Sequence, residues 1–402
     1  MHDVIVIGAG PGGNIAAFNL AAKGYRVAVL DWRHNLGDKL CTGIIGTECA
    51  QRFPPDAAHV YREASAATVV SPGGTRYRIA RDTTQALIID RVAYVDSLAQ
   101  RAMKAGADYV LGPRAESVEI SDRGVSVGAT NGTGRSRYRA EMVIIASGFS
   151  SPLLRMVGLG NGQRPEYMVG AQAEVLTEGL ENTQGYLGRH IAPGSFGWLV
   201  PLSDQRALMG IVSRHKLNGH MDRLLSQVRS NGIVREIIQE PRRWGIPLRP
   251  LPRTYGDRLL VVGDAAGLVK PTTGGGIYYA LLSGEMAAET ASEALNAGDF
   301  SAQRLKQYQN CWKATFGKEL RTGYYARMLF ESMGDRQIER LLGRFASQEV
   351  QDELLDRREF SFDWHSRIIL KTVNHRDLGP LIKSFGPVVA PFLGRLLRGM
   401  LR

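Results

Sequence analysis

The chain has 402 residues, enough for two or three domains of about 150 residues and for a sizeable buried core. Hydrophobic residues make up 44% and charged residues 22%, which excludes a disordered chain, and the longest apolar runs reach about half of the roughly 18 residues that a spanning helix needs. The formal net charge is +11, and much of it lies beyond His365, where Arg367, Lys371, Arg376, Lys383, Arg395, Arg398 and Arg402 face one acid, Asp377.

Met1-His2-Asp3 leads straight into the strand-like Val4-Ile5-Val6-Ile7, with no basic leader or small-residue cleavage site, so a cytoplasmic protein is expected. A glycine cluster, a helical pattern over Asn14 to Lys23, a stop at Gly24 and a second apolar run, Val27 to Leu30, complete a βαβ opening. Strands are predicted at Ala67 to Val70 and Tyr77 to Ala80, a helix over Val92 to Ala105, and strands at Ala115 to Ile120 and Val125 to Ala129 before an Asn131-Gly132 turn. Met142 to Ala146 reads as a strand buried on both faces of a parallel sheet. From Tyr167 to Ser213 the pattern is purely strand-like, with runs at Met168 to Val175, Gly185 to His190, Gly197 to Leu202 and Arg206 to Val212, which predicts an antiparallel layer. A helix from Met221 to Arg229 and a proline-rich connector, Ile246 to Pro252, lead to the buried strand Leu259 to Val262 and a helix over Ile277 to Leu295. The rest of the chain reads as helical.

Gly8-Ala9-Gly10-Pro11-Gly12-Gly13 satisfies GxGxxG between a strand and a helix, so backbone amides and the positive helix end can face a pyrophosphate. Asp31 follows at the end of the second strand, where a carboxylate accepts hydrogen bonds from an adenosine ribose. A second motif, Gly263-Asp264 closing a buried strand, precedes Lys270-Pro271-Thr272-Thr273-Gly274-Gly275-Gly276-Ile277, whose glycines open another helix. Two such helix ends suit one dinucleotide. No second GxGxxG, P-loop or Ser-His-Asp triad is present. Cys41, Cys49 and Cys311 form no CxxC pair, so neither a disulfide framework nor a metal site is expected.

With these motifs the sequence resembles the FAD-binding flavoproteins that include aromatic hydroxylases, lycopene cyclases and geranylgeranyl reductases. The detail is most similar to the geranylgeranyl reductases: Lys39-Leu40-Cys41-Thr42-Gly43 matches their KxCxG segment, Phe196-Gly197-Trp198-Leu199-Val200-Pro201 their YxWxFP segment, and Asp90-Arg91-Val92-Ala93-Tyr94-Val95-Asp96 the superfamily's DRxxFD-like segment. The resemblance implies FAD held by Gly8, Gly10, Pro11, Gly13, Asp31, Trp32, Cys41, Arg91, Gly148, Gly263, Asp264, Pro271, Gly274, Gly275, Gly276 and Ile277. It implies Cys41 and Trp198 as catalytic residues, and Gly43, Phe196, Trp198 and Pro201 around a prenyl cavity. Ala146-Ser147-Gly148 stands where the hydroxylases carry Asp-Gly.

The fold class expected is α/β: a doubly wound, Rossmann-like FAD domain (1–160 and 253–300, with 50–90 partly on the substrate side), interleaved with an antiparallel-sheet substrate domain (161–252) and followed by a helical C-terminal region (301–402). The activity implied is FAD-dependent reduction of carbon-carbon double bonds in a prenyl lipid, driven by NAD(P)H or a ferredoxin-like donor. A flavin monooxygenase or halogenase and an electron-transfer flavoprotein serving a membrane quinone are the alternatives. The tail segment from Pro391 sets Phe392, Leu393, Leu396, Leu397, Met400 and Leu401 on one half of a helix and Arg395, Arg398 and Arg402 on the other. That pattern predicts peripheral binding to an anionic membrane surface, against docking on the tail's own domain, and no nucleic acid.

Overall fold

A computed structural model describes residues 1–132, 134–160, 165–214, 217, 219–354, 360–386 and 390–398. The chain forms two compact units: Met1–Lys39, Arg91–Glu166 and Pro247–Gly317 in the first, and Leu40–Asp90, Tyr167–Ile246 and Lys318–Arg402 in the second.

The first unit is doubly wound. The strands Leu259–Val261, Gly134–Ile145, His2–Ile7, Val27–Asp31 and Asp108–Leu111 lie side by side and parallel. Val4 to Val6, Val27 to Val29 and Met142 to Ile145 are fully buried, as a parallel sheet covered on both faces requires. The Gly124–Asn131 and Arg114–Ser121 strands extend the long Gly134–Ile145 strand as an antiparallel meander. Two helices, Pro11–Ala22 and Ile277–Ala297, pack through glycines. A β-carbon on Gly12 would meet the Ala280 carbonyl oxygen at 2.8 Å, and one on Gly284 would meet the Ile15 Cγ2 at 2.5 Å and lie closer still to the Gly12 carbonyl.

The second unit holds two sheets. Its seven-stranded sheet runs in the order Val234–Pro247, Tyr167–Thr177, Arg206–Ser213, Phe196–Pro201, Thr183–Leu187, Ala66–Val70, Arg76–Ala80. From Tyr167–Thr177 to Arg76–Ala80 the neighbours pair antiparallel except for the parallel pair Thr183–Leu187 with Ala66–Val70. One face, with Ala171, Ala173, Val175, Leu199, Met209 and Ile211, packs on Met221, Leu224 and Val228 of the His220–Ser230 helix. The strands Ile44–Gly46, Ala86–Ile89 and Val60–Ala64 make a separate three-stranded sheet.

Several expectations change. Residues 40–90 belong wholly to the second unit, where they supply strands to both sheets. The region 301–402 divides after Gly317. Its first helix, Ala302–Trp312, is tied to the first unit: the Tyr308 hydroxyl donates to the Val261 carbonyl at 2.8 Å and the Trp312 Nε1 to the Thr254 Oγ1 at 3.0 Å. Residues 161–252 divide as well, since the Leu248 N–H donates to the Glu166 carbonyl within the first unit. The predicted strand Gly185 to His190 stops at Leu187. The fourteen-residue Val234–Pro247 strand was not predicted, because Pro241 and a run of charged residues argue against a central strand; it lies at the sheet edge, where a missing N–H is tolerated.

In the tail, the Ala390–Arg398 helix turns Leu393, 7% exposed, and Phe392 inward onto a cluster with Leu329, Val373 and Ile382, while Arg395 is exposed. This part of the apolar stripe is covered by its own unit, as apolar stripes ordinarily are. Met400, Leu401 and Arg402 lie outside the described residues, as do the side chains of Leu396, Leu397 and Arg398. Among the described residues no helix is long and apolar enough to cross a membrane.

Gly284→Ala tests the helix contact. Overpacking of about 1 to 3 kcal/mol is expected, read as a lowered melting temperature.

Candidate functional site

In the first unit the glycine-rich turn is built for close approach. Gly8 has φ +108°, and a β-carbon on Gly13 would overlap the Gly8 carbonyl oxygen. The helix that follows starts at Pro11, with Gly10 as N-cap, no side-chain cap and no acid in its first turn. Its amide end is therefore available to an anion. A β-carbon on Gly10 would meet nothing within 4 Å. Asn14, fully buried, braces the turn by donating to the carbonyls of Ala9 at 3.2 Å and Val95 at 3.0 Å, and it accepts from the Tyr109 hydroxyl at 2.8 Å. Burial first, then the nearby Asp31 charge, pushes the Tyr109 phenol well above its usual range, so it remains a donor.

Asp31 is buried and accepts from the Ala9 N–H at 2.8 Å and the Arg33 N–H at 2.9 Å. Each oxygen keeps acceptor capacity for a further donor. Trp32, 48% exposed, lies between two guanidiniums, Arg33 at 4.5 Å and Arg114 at 4.7 Å from its ring. Arg91 is buried and donates to the carbonyls of Gly37 and, at 3.1 Å, Lys39. It thus fixes the 37–39 backbone.

The second motif closes the same unit. The Gly263 N–H donates to the Ser283 Oγ at 3.1 Å, and Asp264 lies where a β-carbon on Gly276 would meet its Oδ1 at 2.8 Å. Its Oδ2 pairs with Lys39. Gly274 and Gly275 form a turn with Lys270, whose N–H donates to the Gly275 carbonyl at 3.0 Å, and Pro271 and Ile277 are buried beside it. The Ile277–Ala297 helix begins at Gly276 with no side-chain cap and no acid in its first turn. Gly148, φ +81°, has open space where a β-carbon would stand.

In the second unit Phe196 and Trp198 share one face of the seven-stranded sheet, opposite the face that packs on the His220–Ser230 helix. Trp198, 7% exposed, lies over Gly210 of the neighbouring strand, where a β-carbon would meet its Cε2 at 2.5 Å. Trp244 lies likewise over Gly170, and the two indoles meet edge to face at 6.2 Å. The Trp198 Nε1 is buried and has no hydrogen-bond partner among the described residues. Pro201 closes the strand, paired with Ala207. Cys41, half-buried, is fixed through Thr42, whose hydroxyl donates to the Gln172 Oε1 at 3.0 Å. The Gly43 N–H approaches the Cys41 Sγ at 3.5 Å, and the Gly43 carbonyl accepts from Ile89 at 2.8 Å.

The structure thus gathers the glycine motifs, Asp31, Trp32, Arg91, Gly148 and Asp264 in the first unit and Cys41, Gly43, Phe196, Trp198 and Pro201 in the second. Sequence reasoning missed Asn14, Lys39 as the partner of Asp264, and Gln172. Lys39 stands in the matched KxCxG segment and was legible there; Asn14 and Gln172 carry no local signal.

A family model described as pyridine nucleotide-disulphide oxidoreductase matches residues 2–182. A digeranylgeranylglycerophospholipid reductase 2 of Methanopyrus kandleri is 32% identical over 365 residues, covering 87% of this chain and 91% of the relative. The chain belongs to the digeranylgeranylglycerophospholipid reductase family. The reading as an FAD-dependent oxidoreductase stands with that membership. A geranylgeranyl bacteriochlorophyll reductase-like protein of Thermoplasma acidophilum shares the fold, with a TM-score of 0.85, 24% identity and coverage of 96% of this chain and 99% of that one. So does p-nitrophenol 4-monooxygenase of Pseudomonas putida, with a TM-score of 0.71, 16% identity and coverage of 88% and 96%.

The first unit fits FAD: two helix N-termini without side-chain caps are brought together by the contact of Gly12 with Ala280 and Gly284, with a buried carboxylate at the end of the Val27–Asp31 strand and another at the start of the second helix.

Gly210→Ala checks the indole placement. The methyl takes the space of the Trp198 ring, so the near-ultraviolet circular dichroism of the tryptophans changes while the far-ultraviolet spectrum stays; an unaltered near-ultraviolet spectrum contradicts the contact.

Proposed function

We propose that this protein saturates carbon-carbon double bonds in the prenyl chains of a glycerophospholipid, using FAD. The observation that carries the reading is the tryptophan face of the second unit: Phe196, Trp198 and Trp244 form an aromatic slab in which Trp198 is buried and the other two are half-buried, and the Cys41 segment is hydrogen-bonded to Gln172 on the strand between Trp198's neighbour and the sheet edge. Relatives whose names specify digeranylgeranylglycerophospholipid as substrate support the lipid class.

In this reading Gly8, Gly10, Pro11 and Gly13 present the helix end to the pyrophosphate, and Asp31 accepts from the ribose. Trp32 lies at the adenosine end, and Arg91 holds the 37–39 backbone in place. Asp264 accepts from the ribityl hydroxyls, while Gly263, Pro271, Gly274, Gly275, Gly276 and Ile277 shape the approach to the ring and Gly148 leaves room for it. Reduced FAD, when bound, would supply the hydride for one alkene carbon, and a proton taken up from solvent would go to the other, so that two C–H bonds replace the π bond. Phe196, Trp198 and Pro201 keep the prenyl chain in an apolar environment that excludes water, and the Trp198 Nε1 offers one donor to an oxygen of the lipid. Gly43 lets the chain turn so that Cys41 faces the substrate side, where its polarisable thiol orients the alkene.

Three outcomes follow. Asp264→Ala removes charge-assisted hydrogen bonds of about 1.5 to 3 kcal/mol each, so FAD affinity measured by flavin fluorescence titration falls about tenfold to a hundredfold. Cys41→Ser retains FAD and lowers or redirects alkene reduction, read by mass spectrometry of the lipid products; an unchanged rate and product pattern returns Cys41 to a structural role. With chemically reduced protein under anaerobic conditions, hydrogen is added to the lipid with no oxygen or halogen incorporated. A product that requires oxygen selects the monooxygenase or halogenase reading instead.

A further inference from the structure

Gln172 is a polar residue at a core position. It lies in the Tyr167–Thr177 strand, where Ala171, Ala173 and Val175 point into the apolar cluster, and it is only 4% exposed. A buried carboxamide is costly unless its hydrogen bonds are made. Both of its ends are used on the Cys41 segment: the Oε1 accepts from the Thr42 hydroxyl at 3.0 Å and the Nε2 donates to the Cys41 carbonyl at 3.4 Å. The second contact fixes the orientation of the amide, since a flipped group would set two oxygens against each other. Gln172 is also part of a cross-strand row. It pairs in register with Gly210, and Gly210 pairs with Trp198, whose indole lies over the glycine between them. One row thus carries the anchor of the Cys41 segment and the aromatic wall.

We propose that Gln172 is the positioning residue of Cys41: its carboxamide holds the 41–42 backbone against the Trp198 face, so the thiol meets the alkene from a fixed place. The role in turnover rests on the proposed prenyl-lipid reduction, whereas the hold on Cys41 does not. The geometry also explains why a residue of this length and both polarities stands there. Glutamate would keep an acceptor for Thr42 but place an oxygen against the Cys41 carbonyl, and methionine would keep the volume without either hydrogen bond.

The test uses the full-length FAD-loaded protein and the variants Gln172→Ala, Gln172→Glu and Gln172→Met, each compared with the parent and in a Cys41→Ser background. Iodoacetamide labelling of Cys41, followed by peptide mass spectrometry, reads the hold directly. Release of both hydrogen bonds in Gln172→Ala and Gln172→Met, and of the bond to the Cys41 carbonyl in Gln172→Glu, is expected to raise the labelling rate about fivefold to tenfold, with flavin absorbance and melting temperature retained in Gln172→Met. In turnover, kcat or the distribution of partly reduced lipids changes while KM stays within about twofold, and the change disappears in the Cys41→Ser background. Unchanged labelling in both Gln172→Glu and Gln172→Met overturns the proposal, as does a turnover defect that persists without Cys41. Faster labelling in a protein that reduces no prenyl lipid leaves the hold in place and removes the functional reading instead.

Discussion

Gly284 has no side chain to hold the Ile277–Ala297 helix away from Gly12, and Gly13 has none to hold the Pro11–Ala22 helix away from Gly8. These missing atoms let backbone meet backbone, and the geometry of the first unit depends on them. Because the helices touch at their first turns, two amide ends that no side chain caps are brought to one place, each with a partial positive charge. A larger residue at Gly12 or Gly284 would push the two helices apart. The cofactor reading is thus a consequence of packing as much as of the glycine motif's flexibility.

The second unit uses the same device for a different purpose. Gly210 and Gly170 leave shallow spaces on the sheet, and the rings of Trp198 and Trp244 fill them. An indole that lies down on its own sheet turns an antiparallel face into a smooth aromatic wall, and the same arrangement buries a donor, the Trp198 Nε1, with no hydrogen-bond partner among the described residues. Gln172 is a polar residue on that face, and its hydrogen bonds to the 41–42 segment repay its burial. The wall and the loop that carries the cysteine are therefore set by one row of three residues.

The carboxylates behave differently from one another. Asp31 is held by main-chain amides close to it in the fold, so its position follows from the strand and turn that carry it. Asp264 pairs with a lysine far away in sequence, and the same Lys39 stands in a backbone stretch that Arg91 clamps through its carbonyls. The matched KxCxG segment is accordingly fixed at its first residue by charge and at its cysteine by an amide, two kinds of constraint that no spacing rule contains.

What the sequence determined by itself was local: the GxGxxG turn between strand and helix, Asp31 at the end of the next strand, the Gly263-Asp264 step and the glycine run before Ile277, because these chemistries work through neighbours a few residues apart. The parallel core was legible for the same reason, since strands buried on both faces read as unbroken apolar runs. Tertiary structure alone decided the rest. Thr42 and Gln172 are 130 residues apart, Lys39 and Asp264 225, and no periodicity links such positions. Charged residues and Pro241 concealed the Val234–Pro247 strand because an edge position relaxes the rules of a central one. The amphipathic tail showed a stripe without showing what covers it; Leu393 and Phe392 are covered by their own unit, since the hydrophobic effect is non-directional and takes whichever apolar surface the fold brings within reach.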